Sequence, residues 1–395
     1  MSLRELIHLD DIEKRRRGIE FTPREIAQQP VTWRDTFRVC TRMHGALGDL
    51  LSSAGIHRRG GDGDSPCVVL SGAGTSAYAG ACVESLFRKN WECETRVLPS
   101  TDLVSHEHDL LVPGRKYFFI SFSRSGMSPE SVAIVGRLAK DFPSARHLVI
   151  TCNADGLMAH EFAKHPRVLC LVLDDAVNDR ALAMTSSFSN MVVAAQYVAS
   201  LREPAAYGEI LEEMSESAER FLEKAAPLAE RVAGNRCTRV CFLGSGALNG
   251  VARESALKVL EMTAGRVPTV AESFLGIRHG PLAFIDRETL VVAYLSAERR
   301  RRGYELDLLE ELRKKKLAQS IVAVSRNDDA PTRALVDDLL TLDTDELADD
   351  FRPPVDVGLG QLLGLFLSIR EGLLPDAPSA SGAISRVVSG VRIHS

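Results

Sequence analysis

Residues 68–74 read Val-Val-Leu-Ser-Gly-Ala-Gly, and residues 240–246, 172 positions later, read Val-Cys-Phe-Leu-Gly-Ser-Gly. Each stretch is an apolar strand pattern that ends in a Gly-x-Gly turn and leads into an alanine-rich helical pattern. Further apolar runs follow each turn at similar distances, at 118–122, 148–150 and 168–173 and again at 290–294, 321–323 and 339–342. Four strands separated by helical spacers, present twice, predict a duplicated α/β chain with two parallel sheets.

The repeat also predicts how the 395 residues are organised. We expect a helical N-terminal segment over 1–45, a first lobe over 46–206 and a second lobe over 207–376. Residues 377–395 are rich in Ser, Ala and Gly, which is typical of a tail that wraps another element or frays.

Composition limits the function classes. Hydrophobic residues make up 45% of the chain and charged residues 26%, with a net charge of −5, so general nucleic-acid or membrane-surface binding is disfavoured. No uncharged run approaches the roughly 18–20 residues of a membrane span, and the first residues carry mixed charge instead of an apolar signal core. The eight cysteines include no Cys-x-x-Cys pair and are expected to be buried free thiols. These features predict a cytoplasmic protein.

A serine-rich turn follows the strand at 118–122. Residues 121–131 read Ser-Phe-Ser-Arg-Ser-Gly-Met-Ser-Pro-Glu-Ser, in which Ser128 is placed as a helix N-cap and Pro129 at the first helical position. Ser123, Ser125 and Ser128 can surround an anion with hydroxyl donors. An ordinary capped helix explains only Ser128 and Pro129, so both interpretations stay open from this turn alone.

The turn at 72–77, Gly-Ala-Gly-Thr-Ser-Ala, satisfies the dinucleotide-binding pattern, and Glu94 stands where the ribose-binding acid is expected. A dehydrogenase is therefore one candidate. Thr75 and Ser76 fit better as further hydroxyls for one phosphate monoester. The segment of the second lobe that corresponds to the serine turn, 295–298, reads Leu-Ser-Ala-Glu, so we expect no phosphate there.

The first helix of the second lobe carries a charged pattern. Glu254, Lys258 and Glu261 fall at i, i+4 and i+7 and share one helix face. A solvated stripe with an ion pair is one explanation, and a site at the end of the preceding strand is the other. Further on, residues 272–281 predict a short helical stretch that ends in a tight turn, in which His279 lies between Arg278 and a Gly-Pro pair.

These three motifs, in this order, resemble the sugar-isomerase (SIS) fold. They are similar in particular to the isomerase half of glutamine:fructose-6-phosphate amidotransferase, over nearly the whole chain. Residues 183–188 (Ala-Met-Thr-Ser-Ser-Phe) and 381–391 (Ser-Gly-Ala-Ile-Ser-Arg-Val-Val-Ser-Gly-Val) are more similar to AgaS-type enzymes, which are tagatose-6-phosphate ketose/aldose isomerases or galactosamine-6-phosphate deaminases. The resemblance implies two tandem SIS lobes, each a parallel-sheet three-layer α/β/α sandwich.

The resemblance also implies roles for individual residues. Glu261 would be the base that moves a proton between C1 and C2, Glu254 and Lys258 would organise that base and the sugar hydroxyls, and His279 would assist ring opening. In the amidotransferase relatives this histidine comes from the partner subunit, which implies a homodimer with its active site at the subunit interface. The residues implied to bind the 6-phosphate are Ser123, Arg124, Ser125, Ser128, Thr75 and Ser76, and those implied to contact the rest of the substrate are Gly74 and Ser186.

One departure from the amidotransferase pattern concerns lysine. That family has a C-terminal lysine that forms a Schiff base with the ketose, whereas the last lysine here is Lys316, and Arg370, Arg386 and Arg392 are the basic residues that follow it. About 45 residues precede the first lobe, without an N-terminal cysteine, so no glutaminase is expected. We therefore expect a metal-independent and cofactor-independent deaminase or isomerase of aminosugar phosphates.

Several alternatives remain from the sequence. A non-catalytic sugar-phosphate sensor needs the anion turn but not Glu261, and a fructosamine-6-phosphate deglycase differs only in the substrate. A magnesium phosphatase is a further alternative, because acids lie at 174–175 and 343–345.

Overall fold

The computed structural model describes residues 2–56, 65–235, 237–344, 346–388 and 390–394. Contacts between residues divide the chain into two compact units. The first-sheet unit consists of Val31–Asp179, Ser186–Glu209 and Ser385–Ser395, and the second-sheet unit consists of Met1–Pro30, Arg180–Thr185 and Ile210–Ile384. The N-terminal segment and the C-terminal tail are therefore each shared by both units.

The N-terminal segment is helical, as expected. Its helices are α1 (Leu3–His8), α2 (Asp11–Arg17), α3 (Thr22–Ala27), α4 (Gln29–Arg42) and α5 (His44–Ser53). The first helix begins with a capping box in which Ser2 and Glu5 satisfy each other's backbone N–H groups.

The first sheet has the strand order β2-β1-β3-β4-β5, with parallel pairing throughout. Residues of β1 and β3 are buried on both faces because helices cover both sides of the sheet. The elements are β1 (Cys67–Ser71), α6 (Thr75–Trp91), β2 (Thr95–Val97), α7 (Ser100–Leu110), β3 (Tyr117–Ser123), α8 (Pro129–Asp141), β4 (Arg146–Thr151), α9 (Leu157–Glu161), β5 (Val168–Val172) and α10 (Ser186–Ala199).

The second sheet repeats this topology, with the order β10-β9-β8-β6-β7 and parallel pairing. Its 3-10 helices are Gly276–His279 and Pro281–Phe284. The other elements are α11 (Pro204–Gly234), β6 (Arg239–Leu243), α12 (Ala247–Met262), β7 (Thr269–Glu272), β8 (Thr289–Tyr294), α13 (Arg299–Lys315), β9 (Ser320–Ser325), α14 (Ala330–Arg333), β10 (Asp338–Thr341) and α15 (Pro353–Arg370).

The duplicated α/β fold with two parallel sheets is confirmed, with a correction to the number of strands. The apolar runs predict four strands per lobe, whereas each sheet has five. The missed strands β2 and β7 are three and four residues long and lie at a sheet edge, where a continuous apolar run is not needed. Glu272, expected to begin a helical stretch, is the last residue of β7.

The C-terminal tail wraps, as expected. Immediately before the tail, in the second-sheet unit, the carboxylate of Asp376 accepts hydrogen bonds from the backbone N–H and the hydroxyl of Thr22 at 2.8 and 2.6 Å. In the first-sheet unit, the guanidinium of Arg386 donates to the carbonyl of Asp179 at 2.7 Å. Within the described ranges, none of the helices combines the length and the apolar character that a membrane crossing needs.

Candidate functional site

Two turns meet at one edge of the first sheet. β1 and β3 are parallel neighbours, with Ser71 opposite Ser121, so the turns that follow these strands both lie beyond the carboxyl ends. The helices that continue from the turns are α6 and α8, and their N-terminal N–H groups favour negative charge. Open α/β sheets bind ligands at this edge.

The serine turn, residues 123–128, contains hydroxyl groups whose hydrogens are not donated to another protein atom within the described residues. The buried hydroxyl oxygens of Ser123 and Ser125 accept hydrogen bonds from the N–H groups of Gly126 and Met127 at 3.1 and 3.2 Å. Ser128 is the N-cap residue of α8, as predicted, but its side chain makes no capping hydrogen bond. In the part of the chain that the structure describes, no acceptor takes the hydroxyl hydrogen of any of the three serines. An anion is the natural acceptor for them.

Neighbouring backbone fixes the shape of the serine turn. Gly126 has a φ of 60°, and a Cβ there would lie 3.1 Å from the hydroxyl oxygen of Thr151 and 3.3 Å from the Cα of Gly156. The carbonyl of Ser125 accepts a hydrogen bond from the side-chain amide of Asn153 at 2.8 Å, and the carbonyl of Gly126 accepts one from Met158 at 3.0 Å. These bonds engage the carbonyl oxygens on the β4 side of the turn. Sequence reasoning missed Asn153, although its position just after a predicted strand end was the available signal.

The glycine turn after β1 begins the second helix at this edge. Gly74 has a φ of 54° and a ψ of −124°, a conformation that favours glycine, and it precedes the first residue of α6 without a side-chain cap. Thr75 and Ser76 are both buried in the first turn of α6. Pairing of β1 with β3 thus brings the predicted phosphate-binding residues of the two turns to one edge of the sheet.

Arg124 contacts the C-terminal tail. Its guanidinium donates to the carbonyl of Arg386, and it is 6% exposed. Arg386 in turn donates to the side-chain oxygen of Asn178 at 2.6 Å. Arg386, one of the arginines that follow the last lysine of the sequence, therefore lies against the serine turn.

The position of Glu94 does not fit dinucleotide binding. Glu94 precedes β2, and its carbonyl accepts from the N–H of Val68 near the amino end of β1. Its carboxylate pairs with Arg115. A ribose-binding acid must lie at the carboxyl end of β2, next to the glycine turn, whereas Glu94 lies before the first residue of β2.

The second-sheet unit contains the carboxylate–lysine triad, which we define as Glu254, Lys258 and Glu261 on α12. The ammonium of Lys258 lies 2.7 Å from Oε2 of Glu261 and 3.3 Å from Oε1 of Glu254. The side chains of Glu254 and Lys258 are fully buried, whereas that of Glu261 is 25% exposed. Burial lowers the pKa of Lys258, but the two carboxylates outweigh burial and hold that pKa above its usual value. The solvated-stripe interpretation of this helix face is therefore wrong.

A close helix contact buries the triad. α15 packs against α12, and sixteen of its residues are buried. A Cβ on Gly360 would lie 2.2 Å from the hydroxyl oxygen of Ser255, and one on Gly364 would lie 3.1 Å from the carbonyl of Lys258. The spacing of glycines in α15 was the sequence signal for this contact, and sequence reasoning did not use it.

His279 lies at the surface of the second-sheet unit. It ends the 3-10 helix Gly276–His279, and Gly280 follows with a φ of 124°. Its imidazole makes no hydrogen bond within the described ranges. The neighbouring Arg278 pairs with Glu311 at 2.7 Å. The tight turn predicted after His279 is present.

Ser186 has a partner within the protein. It is the first residue of α10 and fully buried, and its N–H and hydroxyl both donate to the carboxylate of Asp179. The same carboxylate accepts from the N–H of Ser187 at 2.9 Å. The structure therefore gives this serine a helix-capping contact.

The acids that suggested a magnesium site have other contacts. Asp174 accepts from the N–H of Ala176 at 2.9 Å, and Asp343 pairs with Lys224. Asp345, the third residue of that pattern, lies outside the described residues. In the ranges that are described, no three His, Cys, Asp or Glu side chains form a metal-ligating group. All eight cysteines are free thiols, and only Cys170 is not fully buried.

Comparison with known proteins relates the chain to one group of enzymes. An AgaS protein of Streptomyces coelicolor is 39% identical over 381 residues, which cover 95% of each chain. The D-galactosamine-6-phosphate deaminase AgaS of Escherichia coli O157:H7 is 34% identical over 383 residues, again 95% of each chain. No protein-family model matches the chain.

A solved structure agrees with these relatives. The crystal structure of tagatose-6-phosphate ketose/aldose isomerase from Escherichia coli superposes with a TM-score of 0.85 at 31% identity, covering 95% of this chain and 96% of that one. The resemblance drawn from the serine turn, the α12 pattern and the histidine turn is confirmed. The chain belongs to the AgaS family of enzymes.

Proposed function

We propose that this protein is a deaminase and isomerase that converts galactosamine 6-phosphate into tagatose 6-phosphate and ammonia by moving a proton between C2 and C1. The observation that carries the proposal is the carboxylate–lysine triad, in which one carboxylate of a buried ion cluster reaches the surface. Burying charges is costly. A fully buried lysine held between two carboxylates is therefore expected to serve the chemistry of the accessible one.

Glu261 is the base in this proposal. In the open-chain sugar, its carboxylate takes the proton from C2. The electron pair of the C–H bond forms the C1–C2 double bond, and the pair of the C1 carbonyl moves onto O1, which takes a proton from solvent. The same carboxyl group returns the first proton to C1 while the nitrogen at C2 releases a proton to solvent, which leaves an imine at C2. Water adds to this imine, and ammonia leaves, so that one water is consumed for each ammonia released. Lys258 fixes the orientation of the base, and Glu254 balances the buried ammonium.

The serine turn is the proposed phosphate site. Ser123, Ser125 and Ser128 each have a hydroxyl hydrogen to donate, and the N-terminus of α8 adds a favourable field. Thr75, Ser76 and the backbone at Gly74 supply further donors from the N-terminus of α6. Binding energy from the phosphate holds the open-chain sugar while its carbons react.

His279 is the proposed acid–base group for ring opening, and we propose that it acts in the site of a partner subunit of a cytoplasmic homodimer. Its exposed imidazole supports this role. Glu261→Gln and His279→Ala would each be inactive alone. Statistical mixing of the two inactive variants would restore about a quarter of wild-type activity, because half of the dimers then have one site with both native residues. A mixture that stays inactive contradicts the partner role.

Ketose/aldose isomerisation of a tagatose phosphate is the second candidate, because the Escherichia coli structural neighbour bears that name. Galactosamine 6-phosphate, glucosamine 6-phosphate, fructosamine 6-phosphate and tagatose 6-phosphate are supplied separately, and ammonia and sugar products are measured. Ammonia with tagatose 6-phosphate from the first substrate supports the deaminase. Ammonia from fructosamine 6-phosphate alone identifies a deglycase, and sugar interconversion without ammonia identifies the isomerase. Binding of these sugars without any product identifies a sensor.

A further inference from the structure

The second sheet has a turn that corresponds to the serine turn. β8 occupies the place in its sheet that β3 occupies in the first, since the orders β2-β1-β3-β4-β5 and β7-β6-β8-β9-β10 match strand for strand. The turn after β8, residues 295–298, therefore stands where an anion site is expected by analogy. It reads Leu-Ser-Ala-Glu instead of Ser-Arg-Ser-Gly. What fills this turn decides whether the duplicated lobe has a second site.

An internal carboxylate fills it. Oδ1 of Asp349 accepts from the N–H of Ala297 at 2.9 Å, and Oδ2 accepts from the hydroxyl of Ser296. Two guanidinium groups complete the contacts, from Arg352 at 3.1 Å and from Arg301 at 3.3 Å. Asp349 is only 8% exposed. A backbone N–H, a hydroxyl and two guanidinium groups are the donors that proteins use to bind oxyanions.

The other donors of this turn are also taken by carboxylates of the chain. The N–H of Ser296 donates to Glu305 at 2.7 Å, and the side chain of Glu298 accepts from the N–H groups of Arg300 and Arg301 at the start of α13. The fully buried Arg352 is tied to the turn by a 2.8 Å bond to the carbonyl of Leu295.

The charge on Asp349 agrees with this environment. Burial raises the pKa of Asp349, but Arg352 and the hydrogen bonds from Ala297 and Ser296 outweigh burial and hold it below its usual value. The carboxylate is therefore an anion at neutral pH, with donors on both oxygens.

We propose that Asp349 is a built-in replacement for a bound oxyanion in the second lobe and that it limits the chain to one phosphate site. This inference rests on the proposed function of the serine turn as the phosphate site. Removing the Asp349 carboxylate leaves a cavity lined by a hydroxyl, a backbone N–H and two guanidinium groups. The Asp349→Ala variant then takes a tetrahedral oxyanion in that cavity. Asp349→Asn does not, because its amide occupies the same space.

Titration of the full chain with inorganic phosphate, followed by calorimetry, tests the inference. We expect one phosphate per chain for the wild type and for Asp349→Asn, two for Asp349→Ala, and one for Asp349→Ala combined with Ser125→Ala. Ser125→Ala alone should abolish or weaken the single site. One phosphate on both the wild type and Asp349→Ala overturns the inference and leaves the serine turn intact. Failure of the serine turn is distinguishable, because Ser125→Ala then has no effect on the wild-type stoichiometry.

Thermal unfolding tests the inference if Asp349→Ala is too unstable for calorimetry. At a phosphate concentration ten times the Kd, the unfolding midpoint of Asp349→Ala should rise by about 1–2 °C more than that of the wild type. Folding that is recovered in phosphate or formate but not in chloride supports the inference equally. A variant that stays unfolded in chloride, formate and phosphate alike shows that no external anion replaces the carboxylate, and it overturns the inference.

Discussion

The ammonium of Lys258 lies 2.7 Å from a carboxylate oxygen of Glu261, and the lysine is fully buried while the glutamate reaches the surface. This contact ties the one accessible carboxylate of α12 to a charge that solvent does not reach. The second carboxylate, Glu254, is buried at 3.3 Å from the same ammonium. The proposed base is thus held by an ion cluster within its own helix.

Substituting Lys258 tests how the cluster is balanced. Lys258→Met leaves the buried Glu254 without its cation, and the free energy of unfolding in urea should fall by about 3–5 kcal/mol. Lys258→Met combined with Glu254→Gln removes both buried charges and should recover most of the stability but none of the activity. If the free energy of unfolding of Lys258→Met lies within about 1 kcal/mol of the wild-type value, the variant does not bury an uncompensated charge, and this prediction is wrong.

Ser125→Ala tests the phosphate site. Loss of a hydrogen bond to a charged group costs about 1.5–3 kcal/mol, so KM for the sugar phosphate should rise about 10- to 100-fold with a smaller change in kcat. Ser100→Ala is the matched control, because the buried hydroxyl of Ser100 pairs with Ser131 and lies outside the serine turn. Equal KM values for the two variants would show that Ser125 does not bind the phosphate.

Gly360→Ala tests the helix contact that buries the triad. The new Cβ would lie 2.8 Å from the Cα of Ser255, so the α12 backbone has to shift. We expect a loss of about 2–3 kcal/mol in unfolding free energy, together with reduced kcat. At Gly358 the new Cβ meets the end of the Leu222 side chain at 3.1 Å, which can rotate away. Gly358→Ala should therefore change stability by less than about 1 kcal/mol, and a larger loss there than at Gly360 would contradict this packing.

His147 predicts how stability depends on pH. Burial, followed by the charges of His165, Arg167 and Arg146, lowers the pKa of His147 to about 3, and its ring stacks on Phe119 at 4.9 Å. Below pH 6.5, His147 is protonated in the unfolded chain but stays neutral in the folded chain. The folded state should therefore lose about 3 kcal/mol as the pH falls from 6.5 to 4, in equilibrium unfolding.

The matched variants for this pH effect are His147→Phe and His108→Phe. His147→Phe keeps an aromatic ring on Phe119 and should flatten the pH dependence below 6.5. His108 is 81% exposed, so its substitution should leave the curve unchanged. Identical slopes for the wild type and His147→Phe would show that His147 does not cause the acid-induced loss.

The sequence could predict what depends on local apolar pattern. Strands β1 and β3 are uninterrupted apolar runs, and the repeat between β1 and β6 predicts the second sheet from the first. The edge strand β2, with the sequence Thr-Arg-Val, carries no such signal because only one of its three residues is buried. Helix periodicity places Glu254 and Lys258 on one face, but it cannot say whether water or another helix covers that face.

The residues that shape the candidate site depend on contacts between distant segments. Asn153 supports the serine turn from the loop after β4, and Arg386 reaches it from the C-terminal tail. Asp349 binds the turn after β8, although it lies more than fifty positions further along the chain. None of these contacts has a local pattern, because each depends on how separate segments fold against one another.

The most direct test of the central claim is the reaction of galactosamine 6-phosphate in D₂O with the wild type and with Glu261→Gln. We predict that the wild type releases ammonia and forms tagatose 6-phosphate with hydrogen from C2 or solvent deuterium at C1. Glu261→Gln should bind the substrate with similar affinity and turn over at least about a hundredfold more slowly. Near-normal turnover of Glu261→Gln would contradict proton transfer by Glu261.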